Sequence, residues 1–113
     1  MEIAVQRIAG PVVVVKPRGR FTMGDAPSFT AQVGELVAAG RTRLVVDLEE
    51  TTFLDSSGLG ALVGALRATR EAGGNLTIAR PASQVLDVLT LTTMIRVLPP
   101  HDTVAEAFTA VTT

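Results

Sequence analysis

The sequence predicts a single α/β domain, with a mainly parallel sheet and helices packed on it. Three observations predict it. Runs of β-branched residues alternate along the chain with segments of helical period, in the order β-β-α-β-α-β-α-(β)-α, as crossover-connected strands require. The 113 residues are 47% hydrophobic, enough for one core and short for two, so one domain takes residues 1–113. The chain has no cysteine, which removes disulfides, thiolate metal sites and cysteine nucleophiles together.

The elements follow in order. Ile3, Val5 and Ile8 alternate roughly, Val12 to Val15 is a continuous β-branched run, and Ala9-Gly10-Pro11 between them reads as a turn, so the chain opens with a hairpin. Gly19 to Gly24 is a connection. Asp25-Ala26-Pro27 reads as a helix start with an aspartate cap and proline in the first turn. Phe29, Val33, Leu36 and Val37 then recur at helical spacing up to Gly40, a left-handed stop. Leu44 to Leu48 is a buried strand, and Glu49 to Leu54 a polar link with an apolar end.

Asp55-Ser56-Ser57 offers caps to a helix whose core stripe is Leu59, Leu62, Val63 and Leu66, ended by Gly73-Gly74. Leu76 to Ala79 is a strand. Ala82 to Thr92 is a helix with Val85, Val88 and Leu89 inward, and Arg96 to Leu98 a short last strand. Thr103 and Glu106 stand at capping-box spacing before a final helix with Val104, Ala107, Phe108 and Val111 on its core face.

Charge excludes some functions. The formal net charge is -1, and the basic residues are scattered, so no nucleic-acid footprint is expected. The apolar run Pro11 to Val15 is far too short for a bilayer span or a signal segment, so no membrane insertion is expected and the default address is the cytoplasm.

The informative stretch is Asp55-Ser56-Ser57-Gly58-Leu59-Gly60. A helix start presents unpaired N–H groups and the positive end of the dipole. A phosphate on Ser57 would meet those donors at little folding cost while adding about -1.5 to -2 charges to the surface. Such a change keeps the fold and alters what the surface binds. On this helix Ser57, Gly60, Ala61, Gly64 and Ala68 fall on one side as a flat strip that a partner backbone could approach closely. Mid-helix glycine costs roughly 0.5–1 kcal/mol relative to alanine, which argues that Gly60 and Gly64 are more than filler.

Leu44-Val45-Val46-Asp47-Leu48 followed by Phe53-Leu54-Asp55-Ser56-Ser57-Gly58-Leu59-Gly60 resembles the signature of the STAS domain, and more narrowly that of bacterial anti-sigma factor antagonists. The resemblance extends over nearly the whole chain, through Glu71-Ala72-Gly73-Gly74, Leu76 to Ala79 and Val88 to Leu98. It implies a STAS fold: a four- to five-stranded mixed sheet with about four helices mainly on one face, the first strand antiparallel at an edge.

It also implies a function. In that family the unphosphorylated protein binds an anti-sigma factor that is a serine kinase, which frees a sigma factor. The kinase phosphorylates the second serine of the pair, here Ser57, the complex separates, and a PP2C-type phosphatase restores binding. ATP and magnesium belong to the kinase, so the chain needs no cofactor or metal and is not itself an enzyme. Carried onto this sequence, Asp55 and Ser56 shape the loop, Gly58 lets the kinase approach, Gly60, Ala61 and Gly64 form the contact strip, and Thr22, Met23 and Gly24 line the other edge of the docking surface.

Two positions depart from the family pattern. Gly19-Arg20-Phe21-Thr22 places Thr22 where an aspartate is usual. Thr93 stands where many members have glycine, and a β-branched residue is poor at positive φ, so the turn there is expected to differ.

Rival readings fare worse. Gly58-Leu59-Gly60-Ala61-Leu62-Val63-Gly64 fits a relaxed dinucleotide fingerprint, but it does not follow its strand directly and no acidic residue stands near position 78. A hydrolase built on Ser57 lacks Gly-x-Ser-x-Gly, and His101, the sole histidine, reads as a loop residue beside a cap. Asp47 and Asp55 read as a strand-end polar group and a helix cap rather than a metal pair. Within the fold the competing roles are a scaffold subunit of a signalling assembly and an accessory subunit of a transport system. The paired serines and Asp55 favour the phosphoswitch over both.

Overall fold

The computed structural model describes residues 1–9 and 12–113, with no side chains described for residues 7–9. The centre of the expected hairpin turn, Gly10-Pro11, lies outside the described residues. Among these residues the elements run β1 (Glu2–Ala9), β2 (Val12–Phe21), α1 (Ala26–Ala38), β3 (Arg43–Asp47), β4 (Thr51–Leu54), α2 (Ser56–Glu71), β5 (Asn75–Ala79), α3 (Ser83–Leu91), β6 (Pro100–His101) and α4 (Val104–Thr112). A 3-10 turn, Met94–Arg96, precedes β6.

The sheet is six-stranded, ordered β1-β2-β3-β5-β6, with β4 beside the far end of β2. β1 is antiparallel to β2 at the edge, as the resemblance implies, and the other pairs are parallel. The strand count exceeds the expected four to five because of two short pieces. Thr51–Leu54, read as a link, extends the ladder beyond Gly19, and Pro100–His101 is a strand of two residues. Arg96 to Leu98, read as the last strand, instead straddles the end of the 3-10 turn. β2 also runs on to Phe21, so much of the expected connection from Gly19 is strand.

Alternation on β2 and β3 divides the core. Val13, Val15, Leu44 and Val46 point to the face covered by α1, α2 and α3, together with Phe29, Val33, Leu62, Val85 and Leu89. Val12, Val14 and Val45 point the other way, against Ala107 and Val111 of α4. Three helices thus cover one face and one covers the other. The expected stripes are buried at Leu59, Leu62 and Leu66, while Val63, Leu36, Val37 and Val88 pack half-buried at the margin. At Gly74 an added Cβ would strike the carbonyl of Thr42, which fixes glycine at the turn into β5.

Thr93 sits in the conformation that suits it poorly: φ is +59° and ψ 8°, the left-handed region. That conformation costs a β-branched residue roughly 1–2 kcal/mol, part of which glycine would return through the entropy of the unfolded chain. Thr93→Gly is therefore expected to stabilise the domain by about 0.5–1 kcal/mol, read as a rise of about 3–5 °C in Tm. An unchanged or lower Tm would refute it.

An ion-pair network ties the middle of β2 to the ends of β3 and β5. Arg80 donates to both oxygens of buried Asp47, Nη2 to Oδ2 at 2.6 Å and Nε to Oδ1 at 3.2 Å. Lys16 lies 3.2 Å from Glu49, 3.3 Å from Glu50 and 3.7 Å from Asp47. Burial pushes the Asp47 carboxyl up, but the hydrogen bonds from Arg80 and from the Glu49 N–H, with the charges of Arg80 and Lys16, outweigh it and hold it below its ordinary value.

A carboxyl held low in the folded state leaves the unfolded chain the better proton acceptor. Its stabilisation is whole above the unfolded pKa of about 3.9 and drains as pH falls through the lower folded value. Tm is expected to drop more steeply below about pH 4 in the native protein than in Asp47→Asn; parallel curves would contradict this.

Candidate functional site

The site forms where β2 and β4 end together. Phe21 pairs with Leu54 in register, so the residues that follow, Thr22 to Gly24 and Asp55 to Ser57, leave the sheet side by side. Phe21 packs its ring 4.9 Å from that of Phe29 in α1, anchoring the first turn of that helix. The Thr22 carbonyl accepts from the N–H groups of Asp25 and Ala26, which turns the chain into α1.

Asp55 joins the two segments. Its backbone is extended, with φ -102° and ψ -177°, the geometry of a cap. Oδ1 accepts from the Gly58 N–H at 2.8 Å and Oδ2 from the Met23 N–H at 3.1 Å. One carboxylate thereby caps α2 and pins the turn before α1. The expected cap at Asp25 is not made. Its side chain accepts from the Thr22 hydroxyl at 3.1 Å and the amino group of Met1 at 3.0 Å.

Gly58 has an internal role, which corrects the expectation that it lets a kinase approach. It is buried, and a Cβ there would meet the Phe21 carbonyl and lie 2.7 Å from Leu54 Cδ1. The missing side chain lets α2 start against the end of β2. Ala61 is likewise buried and belongs to the core as well as to the strip.

An open groove of about 630 Å³ runs between the first turns of α1 and α2, lined by Met23, Ala26, Pro27, Thr30, Ala31, Ser57, Gly60 and Ala61. Ser57 is half-buried on it, at the second position of α2, and Ser56 beside it is exposed. Met23 stands at the rim, 73% exposed. Gly60 and Gly64 are exposed with open space where a Cβ would be, so the flat strip continues one turn past the groove. Gly24 is exposed in the adjoining turn, while Thr22 is half-buried with its hydroxyl on Asp25. The groove carries no charged side chain.

Sequence reasoning missed the α1 wall and Gln84. Ala26, Pro27, Thr30 and Ala31 recur at helical spacing as small residues away from Phe29 and Val33, a signal that was there to read. Gln84 Oε1 accepts from the Leu54 N–H at 2.8 Å and its Nε2 donates to the Leu54 carbonyl at 3.0 Å, so a side chain from α3 stands in for a strand neighbour. No periodicity announces that. The two aspartates are separate, Asp47 in its ion pair and Asp55 in its cap. No group of three His, Cys, Asp or Glu among the described residues is placed to hold a metal. No helix among them is long and apolar enough to cross a membrane.

Comparison with known proteins finds the same family and fold. A family model of the STAS domain matches residues 2–107. A Thermotoga maritima protein, provisionally named an anti-sigma factor antagonist, is 28% identical over 102 residues, 89% of this chain and 90% of its own. The crystal structure of a Thermotoga maritima protein of the same description superposes with a TM-score of 0.88 at 26% identity, covering 98% of this chain and 95% of that one. The anti-sigma F factor antagonist of Paenibacillus polymyxa is 23% identical over 99 residues, 87% of this chain and 85% of its own. SpoIIAA, at 20% identity, shares the fold in its unphosphorylated form, with a TM-score of 0.83 over 97% of this chain and 96% of that one. The phosphorylated form of the Bacillus protein has a TM-score of 0.75 over 97% and 99%.

Proposed function

The chain belongs to the STAS domain family, and from that membership and the groove beside Ser57 we propose that it is an anti-sigma factor antagonist controlled by phosphorylation of Ser57. In this reading the unphosphorylated protein works in the cytoplasm and binds an anti-sigma factor that is a serine kinase, freeing a sigma factor for transcription. The docking surface comprises the strip Ser57, Gly60, Ala61 and Gly64, the turn Thr22 to Gly24, and Ser56. The kinase moves the γ-phosphoryl group of its ATP onto Ser57 Oγ, ADP leaves with the kinase, and the complex separates. A PP2C-type phosphatase hydrolyses the ester and restores binding. The protein contributes a surface and an acceptor, with no catalytic group or cofactor of its own.

The single observation that carries this is the position of Ser57: half-buried, on an open uncharged groove, at the second residue of a helix whose first turn presents N–H donors. An uncharged groove suits close packing, and a dianion there is a large local change. The relatives' names support the same direction, and SpoIIAA exists in phosphorylated and unphosphorylated forms of one fold.

The test is to incubate the protein with its anti-sigma factor and magnesium-ATP and map the modification by mass spectrometry. One phosphate on Ser57, none on Ser57→Ala, and retained binding by Ser57→Ala are expected. An unmodified Ser57 together with elution in a very large assembly would replace this reading with a scaffold role.

A further inference from the structure

The described residues leave one long edge of the sheet unpaired. β1 bonds to β2 along one side only, while the far edge is the two-residue β6, packed against α4. Native proteins blunt such edges with charge, proline, bulges or covering elements. On β1 the charged residues Glu2 and Arg7 stand towards the ends, and the bulge falls between Arg7 and Ala9. The centre, Ile3-Ala4-Val5-Gln6, has none of these devices. Val5 is 41% exposed although it lies opposite fully buried Val15, on the face that carries the larger core. Ile3, on the same face, packs against that core.

We propose that this edge joins two copies of the chain, with β1 antiparallel to β1 about a twofold axis through Ala4, in one continuous sheet. Register supplies the argument. A twofold axis normal to a sheet places a residue before the centre opposite the residue equally far after it, and opposed residues share a face. About Ala4, Ile3 meets Val5 of the second copy twice on the core face. On the other face Glu2 meets Gln6 twice and Ala4 meets itself. Apolar faces apolar and polar faces polar on both sides. Glu2 gives Oε1 to Arg18 at 2.7 Å, so its second oxygen can accept from the Gln6 amide of the second copy. About Val5, by contrast, Ile3 would face Arg7 and Glu2 would face Ile8; about Ile3 the ladder loses Gln6. The inference stands apart from the sigma cycle, since the edge shares no residue with the Ser57 groove.

The chain has no cysteine, so an introduced one reports the register directly. Opposed Cα atoms of an antiparallel pair lie about 4.5–5.5 Å apart, within the roughly 4.4–6.8 Å a disulfide spans. Ala4→Cys is expected to become a covalent dimer under mild oxidation, and Gln6→Cys, four residues out of register with its symmetry mate, to remain a single chain. Light scattering should give the mass of two chains for the native protein and one for Val5→Lys, with unchanged circular dichroism. A single-chain mass for the native protein, a dimeric Val5→Lys, or equal oxidation at positions 4 and 6 would overturn the proposal.

Discussion

Ser57→Asp is expected to weaken binding to the anti-sigma factor by about a hundredfold or more while leaving the fold intact. An unpaired charge trapped in an interface costs about 2–5 kcal/mol, and 3 kcal/mol corresponds to more than a hundredfold in Kd. The groove holds no cation to meet the new carboxylate. In the free protein the same carboxylate stays in water at the positive end of α2, where an acidic group is favourable by about 0.3–1 kcal/mol. Calorimetric titration against the purified partner and a thermal melt separate the two effects. Equal affinities for the native and Ser57→Asp proteins would remove the basis of the switch, and a collapsed melt would mean that the position is structural.

Gly58→Ala should be the most damaging single substitution near the site, although it adds one methyl group. The new Cβ would collide with the Phe21 carbonyl, a backbone atom that cannot rotate away, and with Leu54 Cδ1. Overpacking costs typically 1–3 kcal/mol and more where the neighbour is rigid, so about 3 kcal/mol is expected here. That is a large fraction of the stability of an ordinary domain and should lower Tm by about 10 °C or more. Gly60→Ala is the contrast, since open space awaits its Cβ and helix propensity favours alanine, so its Tm should hold or rise. If both variants melt alike, the close approach of β2 to α2 is not what requires glycine at position 58.

The helical stripes were legible because burial repeats at a fixed period. Leu59, Leu62 and Leu66 are buried as their spacing requires, and Thr103 accepts from the Glu106 N–H at 3.0 Å as the capping box requires. The short strands were not legible. Thr51–Leu54 spans four residues with burial that does not alternate, and its place depends on the end of a strand some thirty residues earlier. Pro100–His101 is strand only because β5 lies beside it.

The same limit governs the site. Ser57 and Asp55 announce themselves locally as capping and helix-start residues. The inward turn of Gly58 is tertiary, set by the Phe21 carbonyl, and nothing in the hexapeptide separates a glycine that faces a partner from one that faces a strand. Asp25 was misread for a related reason: a capping residue type is only a candidate until its competitors are known, and the Thr22 hydroxyl and an amino group claimed this one.

The double acceptance by the Asp55 carboxylate bears on how fast and how tightly such a surface is recognised. With the turn at Met23 and the start of α2 fastened to one group, the two banks of the groove are a preorganised mould, and association need not first freeze a wandering loop. On the proposed reading, encounter proceeds as near-rigid docking, and residence time turns on whether Ser57 carries a phosphate.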